Sequence, residues 1–312
     1  MWMAALPPAK TMNIAVAGAG LMGHSIAQIF LAEGHDVNLV DPSEEVIAAA
    51  PKNIEAIFDL LEQDQTSMKN LQLHSSLAEA VRDADFVFEA GPEKREIKQQ
   101  IFKELSEHAG AEAILATNTS AIPIGDVGAL VENKARVVGT HFWNPPHLVK
   151  LVEVVQSEHT AENVVSRSME LLASINMKPV HVKHDIPGFI GNRLQHAMKR
   201  EAIALVAAGV CDAETIDTVV KHSFGARLAV LGPLEQSDLV GLNLTLDILS
   251  TVFPSLDNST APHDLLVDKV KSGELGMKTG QGFRQWTPET AQAVRDRLTK
   301  FLQQQVKLST KS

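Results

Sequence analysis

The segment 13–41 (NIAVAGAGLMGHSIAQIFLAEGHDVNLVD) decides the fold of this chain. It opens with a short apolar run of strand length, residues 14–17, which ends directly in the glycine-rich turn 18–23. Apolar residues then recur at helical spacing until a glycine ends the pattern, and a second apolar run begins at Asp36 and closes on Asp41. Strand, glycine turn, helix, strand and acid in this order are typical of a dinucleotide-binding unit.

The glycines of this turn have separate physical roles. Gly18 makes the tight turn, Gly20 lets a pyrophosphate approach the backbone, and Gly23 allows the helix to pack closely against the strand. The free N–H groups at the start of the helix, where Leu21 and Met22 lie, hold the phosphates at the positive end of the helix dipole. The sequence therefore predicts a site for a dinucleotide cofactor.

Asp41 predicts which dinucleotide binds. It lies about 20 residues beyond the glycines, where a carboxylate accepts a hydrogen bond from a ribose 2′-hydroxyl. The same negative charge repels the 2′-phosphate of NADP. We therefore expect the cofactor to be NAD.

Strand-like and helical runs continue to alternate after this unit. They cover residues 84–90, 94–108, 113–117 and 136–141 in turn, and residues 43–63 form a further helix that Pro51 cuts or kinks. Strands separated by helices predict an α/β fold with a doubly wound, Rossmann-like parallel sheet. Because ligands bind at the carboxyl ends of such strands, the residues that follow each strand are the candidate site residues.

After Asp185 the pattern is helical, with helices expected at 191–208, 213–222, 239–252 and 291–306. We therefore predict two domains, a Rossmann-like NAD-binding domain over 1–184 and an all-α domain over 185–312. Apolar surface on a short helical domain favours a second copy of the chain as its cover. Residues 1–11 contain two prolines and neither a charged leader nor a cleavage pattern, so we expect an irregular start outside the fold.

His141 and Glu153 are the candidate catalytic pair. Oxidising an alcohol by hydride transfer needs a base for the hydroxyl proton and a group that orients the base. His141 ends an apolar strand, and Glu153 lies in the apolar run 148–155, where a carboxylate without a partner is costly to bury. A carboxylate on one ring nitrogen fixes the tautomer and leaves the other nitrogen free to accept a proton. The alternatives are a satisfied polar histidine and a glutamate that points to solvent from an edge strand.

Three further polar residues have two interpretations each. Asn118 and Ser120 follow a predicted strand, where they either face the ligand site or cap the next helix. Asn192 follows the turn 186–189 and either binds substrate or caps a helix.

Several motifs together resemble the 3-hydroxyacyl-CoA dehydrogenase family. They are AGAGLMG at 17–23, NTS at 118–120, HFWNPP at 141–146 with KLVEVV at 150–155, and PGFIGNR at 187–193. The similarity covers nearly the whole chain, with the motifs in order. It implies hydride transfer from the 3-hydroxyl carbon of a substrate to NAD, in a nucleotide-binding domain followed by a helical domain for substrate binding and dimerisation.

The resemblance also implies roles for single residues. His141 is the general base and Glu153 its orienting partner, while Ser120 and Asn192 hold the substrate oxygens. Cofactor contacts fall to the glycine turn, Asp41, Asn118, Ser120, Glu93 and Lys98, the last two near the nicotinamide end, and further substrate contacts fall to Asn144 and Arg227.

Two features depart from the acyl-CoA pattern. Family members that use coenzyme A thioesters commonly carry a longer, lysine-rich helical pair after the second strand, whereas here that region is short, with only the lysines Lys52 and Lys69. The segment 225–233 (GARLAVLGP) is similar to relatives that act on free hydroxy acids, such as gulonate, carnitine and pyridine-ring dehydrogenases. Arg227 in it is either a bidentate grip for a substrate carboxylate or a surface or inter-subunit arginine.

Composition narrows the partners. A formal net charge of -10 gives nucleic acid or an anionic membrane no general reason to bind, and no apolar run approaches the length of a membrane span. The single cysteine, Cys211, is consistent with a reducing compartment, so we expect a cytoplasmic protein. No histidine or cysteine spacing suggests a metal site. Tyrosine is absent, which excludes a tyrosine–lysine dehydrogenase mechanism.

Three functional hypotheses remain at this point. The leading one is an NAD-dependent dehydrogenase of a 3-hydroxyacyl-CoA substrate, and the alternative enzyme acts on a free hydroxy acid without coenzyme A. A non-enzymatic alternative is an NAD-binding structural protein like some lens crystallins of the family. The complete set of Ser120, His141, Glu153 and Asn192 speaks against the last. We expect small-molecule substrates, no nucleic-acid or membrane partner, and a homodimer.

Overall fold

The computed structural model describes residues 11–309 and divides into two compact units. The first comprises Met1–Arg193 with Phe301–Ser312, and the second comprises Leu194–Lys300. The irregular start that we expect for residues 1–11 lies outside the described residues except for Thr11. The first unit extends past His184, because Phe189 is fully buried in its core.

The first unit is built on an eight-stranded sheet in the order β3-β2-β1-β4-β5-β6-β7-β8. Its strands are β1 (Asn13–Ala17), β2 (Asp36–Val40), β3 (Leu71–His74), β4 (Phe86–Glu89), β5 (Ile114–Thr117), β6 (Val137–Phe142), β7 (Leu151–Val155) and β8 (Lys178–Val182). Strands β1 to β6 are parallel to one another, which confirms the predicted Rossmann-like arrangement.

Strand β7 departs from the parallel pattern of the preceding strands. This strand pairs antiparallel with β6 and parallel with β8. The connection from β6 to β7 covers only residues 143–150, which is too short for the crossover that a parallel neighbour requires. The antiparallel turn has a direct consequence for the site, since it sets His141 and Glu153 opposite each other in the register.

Six helices cover the two faces of the sheet. They are α1 (Leu21–Ala32), α2 (Glu44–Leu61), α3 (Leu77–Val81), α4 (Arg95–His108), α5 (Ile124–Val127) and α6 (Glu162–Ser174). Alternate residues of each strand enter different cores: Ile14 and Val16 pack with the helices of one face, and Ala15 and Ala17 pack with those of the other. Helices on both faces explain why the central strands β1, β4 and β5 are mainly apolar on both sides rather than alternating.

Helix α2 runs through Pro51 without a break, so the predicted cut is wrong. Ser43 caps the helix by accepting a hydrogen bond from the Val46 N–H, and Ile54 and Phe58 on its inner face are fully buried. A proline inside a helix costs about 3 kcal/mol, whereas each buried apolar side chain contributes about 1.5–3 kcal/mol. Burial of the helix face therefore outweighs the lost backbone hydrogen bond.

The remaining helices follow the predicted all-α pattern. They are α7 (Gly191–Ala207), α8 (Ala213–His222), α9 (Pro233–Val240), α10 (Leu242–Val252), α11 (Asp264–Lys271) and α12 (Pro288–Ser309). The predicted cap of α8 is confirmed, since Asp212 Oδ1 accepts the Thr215 N–H at 2.8 Å. The helix expected around 239–252 is α10, which begins only at Leu242, because Gly241 with φ 96° separates it from α9.

None of the helices within residues 11–309 is both long and apolar enough to cross a bilayer.

Candidate active site

A cavity of about 730 Å³ lies against the glycine turn, at the carboxyl ends of β1, β2 and β4. The glycine turn contributes Gly18, Gly20, Leu21 and Met22 to its lining, and the segment after β2 contributes Asp41, Pro42 and Val46. The lining also includes Ser75, Leu77, Ala90, Gly91, Pro92, Ile97, Ile101 and Glu104. The position matches the place where ligands bind in doubly wound sheets.

The glycine turn fits a dinucleotide on steric grounds. A Cβ on Gly18, which has φ 104°, would lie 2.8 Å from the Ala90 carbonyl oxygen. A Cβ on Gly23 would overlap the Gly18 carbonyl oxygen, so this glycine is required for close packing of the helix. At Gly20 nothing lies within 4 Å of an added Cβ, so the backbone there is open to a pyrophosphate group.

Asp41 lies at the rim of this cavity and is held in place by the backbone. Its Oδ2 accepts the Ala19 N–H at 2.8 Å, and its Oδ1 accepts the Ser43 N–H at 2.9 Å. The carboxylate thus links the glycine turn to the start of α2. Each oxygen keeps a second lone pair, which a ribose hydroxyl can use.

Glu89 and Lys98 form a fully buried ion pair beneath the turn that follows β4. Lys98 Nζ donates to both carboxylate oxygens of Glu89, at 2.8 and 2.9 Å. The Gly91 N–H and the Thr117 hydroxyl also donate to this carboxylate. With three kinds of donor around it, the buried charge of Glu89 is fully compensated. Lys98 also lies 3.6 Å from Glu93, so the pair connects to the next carboxylate along the chain.

Glu93 holds the loop that carries Ser120. Its Oε1 accepts the Thr119 hydroxyl at 2.7 Å and the N–H groups of Ser120 and Ala121 at 2.9 and 3.2 Å. Burial raises the pKa of Glu93, but these hydrogen bonds and the nearby Lys98 ammonium outweigh it and lower the pKa below its usual value. Asn192 Nδ2 donates to the Ser120 carbonyl at 3.0 Å, so Ser120 and Asn192 are neighbours.

His141 and Glu153 form a buried hydrogen-bonded pair. Both side chains are almost fully buried, and His141 Nδ1 lies 2.7 Å from Glu153 Oε2. Glu153 Oε1 accepts the Ile190 and Gly191 N–H groups, at 2.9 and 3.0 Å, at the start of α7. Burial raises the pKa of Glu153, but the hydrogen bonds from His141 and from the two backbone groups lower it overall. The alternative of a solvent-facing Glu153 is wrong, because β7 lies between β6 and β8.

This geometry suits proton transfer. A charged Glu153 accepts a hydrogen bond from the protonated Nδ1 of His141. This leaves Nε2 as the nitrogen of His141 that can take a proton. The carboxylate also stabilises the imidazolium that forms.

The cap interpretations of the polar residues are wrong. Helix α5 follows Pro123 and has no side-chain cap, so neither Asn118 nor Ser120 caps it. Asn118 Oδ1 instead accepts the Phe142 N–H at 2.8 Å and ties the end of β5 to the end of β6. Asn192 lies inside α7 as its second residue rather than before it as a cap, and its amide donates to the Ser120 carbonyl.

Two predicted substrate residues are not tied into this arrangement. Asn144 is exposed in the segment between β6 and β7. Arg227 belongs to the second unit, where it is exposed and follows the 3-10 turn Phe224–Ala226. Their roles stay predictions.

Glu89 was a candidate from the sequence, since it ends a predicted strand, but its pairing with Lys98 was not predicted. Sequence reasoning missed one group of residues altogether. Ser75, Leu77, Ile97, Ile101 and Glu104 line the cavity away from the turn. Apolar residues four apart on α4 gave a weak signal for its inner face, but no signal in the sequence distinguished a ligand wall from a core.

Comparison with protein families matches both parts of the chain. Residues 13–186 match the family described as 3-hydroxyacyl-CoA dehydrogenase, NAD binding domain. Residues 188–286 match the family described as 3-hydroxyacyl-CoA dehydrogenase, C-terminal domain.

Individual relatives fall into two substrate groups. The chain is 33% identical over 287 residues to 5-formyl-3-hydroxy-2-methylpyridine 4-carboxylate 5-dehydrogenase of Mesorhizobium japonicum, covering 90% of this chain and 93% of the relative. It is 35% identical over 280 residues to 3-hydroxybutyryl-CoA dehydrogenase of Clostridioides difficile, covering 87% and 98%. It is also 35% identical to L-carnitine dehydrogenase of Streptomyces griseus, over 75% of this chain and 71% of the relative.

Solved structures show the same two groups. A crystal structure of the pyridine-carboxylate dehydrogenase, described as an NAD+ dependent dismutase, matches with a TM-score of 0.89 and 32% identity, covering 96% of this chain and 98% of that one. The 3-hydroxybutyryl-CoA dehydrogenase of Escherichia coli matches with a TM-score of 0.73 and 33% identity, covering 89% of this chain and 60% of that one.

Proposed function

Since the chain belongs to the 3-hydroxyacyl-CoA dehydrogenase family and is an NAD-dependent oxidoreductase of that type, we propose that His141 and Glu153 perform its proton transfer. The observation that carries the proposal is the buried 2.7 Å hydrogen bond between His141 Nδ1 and Glu153 Oε2 at the carboxyl end of β6. Within residues 11–193, no other pair combines a histidine that can act as a base, a buried carboxylate that orients it and a position at this edge of the sheet.

In the forward direction a secondary alcohol becomes a ketone. The hydroxyl O–H bond breaks as His141 Nε2 takes the proton. The hydrogen on the carbon that carries the hydroxyl leaves with its electron pair as a hydride. NAD, when bound, supplies the acceptor for that hydride. Glu153 stabilises the positive imidazolium, while the Ser120 hydroxyl and the Asn192 amide position the substrate oxygen. The support for their roles is the 3.0 Å contact that joins Ser120 and Asn192.

The residues proposed to hold NAD lie partly along the dinucleotide cavity and partly around the 118–121 loop. The N–H groups around Gly20, Leu21 and Met22 bind the pyrophosphate, and Asp41 accepts the ribose hydroxyl. Glu93 and Lys98 set the position of the 118–121 loop at the nicotinamide end, with Asn118 fixing the neighbouring strand end.

For the substrate, the first candidate is a 3-hydroxyacyl thioester of coenzyme A, as in the family's description, which would place the enzyme in fatty acid metabolism. A free hydroxy acid is the second candidate. The higher TM-score to the pyridine-carboxylate dehydrogenase, 0.89 against 0.73, favours the second candidate. Arg227 is the proposed grip for its carboxylate.

A substrate panel tests this proposal. NADH absorbance is followed with acetoacetyl-CoA in the reducing direction and with free hydroxy acids, such as carnitine and gulonate, in the oxidising direction. Arg227→Lys serves as the probe, because a lysine keeps the charge but loses bidentate geometry. We expect the KM of a free acid to rise in this variant and the KM of a thioester to remain unchanged. Turnover with neither group of substrates would contradict the proposed function.

We also propose that residues 185–312 form a substrate-binding and dimerisation domain and that the protein is a homodimer. In the second unit, whose residues are all described, only Gly282 and Ala291 are buried, whereas Val230, Leu234 and Leu239 are at least 72% exposed. A helical unit with so little buried apolar surface needs a cover, and a second copy supplies one in the symmetric way usual for oligomers.

Sedimentation tests the dimer. We expect twice the mass of one chain, and Leu234→Glu lowers the affinity between copies, while Leu130→Glu, an exposed leucine of the first unit, does not. A monomeric parent protein at micromolar concentration would contradict it.

A cytoplasmic location is also proposed, supported by the single cysteine.

A further inference from the structure

Trp143 and Gly191 meet beside the catalytic pair. Trp143 follows the end of β6 by one residue, and Gly191 is the first residue of α7. A Cβ built on Gly191 would overlap Trp143 Cζ2 and would lie 3.1 Å from Cη2 and 3.3 Å from Cε2. The indole ring therefore occupies the space that any other side chain at position 191 would need.

We propose that Trp143 and Gly191 are a matched pair of positioning residues that holds His141 and Glu153 in their reactive geometry. The catalytic part of this inference rests on the proposed role of that pair. Neither residue is proposed to accept the proton or the hydride. Their effect passes through the two catalytic side chains.

Gly191 is not required for its backbone conformation. Its φ lies outside the left-handed region, so an alanine there meets no intrinsic backbone strain. The Trp143 ring is what excludes a larger residue. Within the described residues the indole N–H has no hydrogen-bond partner, so packing alone holds the ring.

Both residues contact the catalytic pair directly. The centroids of the Trp143 and His141 rings lie 5.5 Å apart, and the centroid of Phe189 lies 5.6 Å from that of His141, so two aromatic rings pack against the imidazole. The Gly191 N–H donates to Glu153 Oε1 at 3.0 Å. A methyl group on Gly191 must therefore displace either the indole, which moves His141, or the start of α7, which moves the donor of Glu153.

A double-mutant cycle tests the pair. Gly191→Ala, Trp143→Phe and the double variant are compared with the parent in kcat, in KM and in the pH profile of kcat/KM. Phenylalanine lacks the outer atoms of the indole that meet the added methyl. Gly110→Ala is the matched control, because the nearest atom to its Cβ is 3.9 Å away and its φ is also outside the left-handed region.

We expect Gly191→Ala to lower kcat by about tenfold to a hundredfold, the scale of a misplaced catalytic group, and to shift the acid limb of the pH profile. Trp143→Phe causes a smaller loss, and adding Gly191→Ala to it lowers kcat no further. Gly110→Ala behaves like the parent. NAD affinity by titration reports whether each variant is folded, since neither residue lines the dinucleotide cavity.

Two results overturn the inference. One is an equal loss from Gly191→Ala in the parent and in the Trp143→Phe background, because the two positions then act independently. The other is full activity in Gly191→Ala. The thermal midpoints of the parent, the two single variants and the double variant form a second cycle, which measures stability and does not depend on turnover. Coupling in the midpoints without coupling in kcat shows that the packing exists but does not position the pair, and this also overturns the inference. A protein without turnover on any substrate fails the proposed function instead.

Discussion

Replacing Glu153 by glutamine converts one carboxylate oxygen into an NH2 group with almost no change in volume. Two orientations of the amide are available. With the NH2 group towards the Ile190 and Gly191 N–H groups, two buried donors lose their acceptor, at a cost of about 1–3 kcal/mol each. With the carbonyl oxygen towards them, both bonds survive and the NH2 group faces His141 Nδ1. The second orientation is therefore favoured.

In that orientation His141 is in the wrong tautomer. Nδ1 must accept a hydrogen bond from the amide, so the ring proton moves to Nε2, the nitrogen that should take the substrate proton. The imidazolium also loses its counter-charge. The same carboxylate-to-amide change in a Ser-His-Asp triad lowers kcat about 10⁴-fold, and we expect a loss of about 10²- to 10⁴-fold here.

The assay is steady-state NADH formation at saturating NAD and substrate, with NAD affinity measured separately by titration. Glu158→Gln is the matched control. It makes the same chemical change at a side chain that is 84% exposed, where we expect no effect on turnover. We expect the control to equal the parent, and Glu153→Gln to bind NAD as the parent does. Turnover of Glu153→Gln within tenfold of the parent would refute the tautomer mechanism, as would a loss of turnover fully explained by lost NAD binding.

Other predictions follow from the same geometry. Asp41→Ala should raise the affinity for NADP relative to NAD, because the carboxylate at the cavity rim repels a 2′-phosphate; an unchanged ratio of dissociation constants contradicts this. Burial, with a smaller contribution from His24, lowers the pKa of His147 to about 4, below the unfolded value of 6.5. Between these values the unfolded chain binds the proton first, so this histidine lowers stability as the pH falls from 6.5 to 4, by at most about 3 kcal/mol because solvent screens the partly exposed ring. His147→Asn should flatten that part of the stability curve in urea melts. The hydrogen bonds of Glu153 lower its pKa below 4.5, so its stabilising contribution is complete above that pH and is lost as the pH falls further; Glu153→Gln and the parent should converge in thermal midpoint in that acid range.

The fold was predictable where the pattern is local. The glycine turn, α1 and Asp41 are contiguous, and each position has its own steric or electrostatic reason. Strands β3 and β8 were missed because they are edge strands with exposed residues, so they lack the buried apolar run of the central strands. The antiparallel entry of β7 depended on the length of a loop whose ends were uncertain in the sequence.

The candidate site was predictable in part for the same reason. An acid inside an apolar run needs a partner, and this indicated Glu153 with His141 before any register was known. Glu89 and Lys98 lie in different elements, β4 and α4, and one sequence does not show that the two side chains meet. The Trp143–Gly191 contact joins residues far apart in the chain and depends on a missing Cβ, so it leaves no pattern in one sequence. The substrate end depends on Arg227, for which local sequence supports two interpretations.

The most direct test of the central claim is the turnover of His141→Ala beside its NAD affinity. The base acts only on the substrate proton, so removing it should lower kcat by about two to four orders of magnitude and leave the NAD dissociation constant within twofold of the parent. Turnover of His141→Ala close to that of the parent, with NAD bound equally well, would contradict the assignment of His141 and Glu153 as the proton-transfer pair.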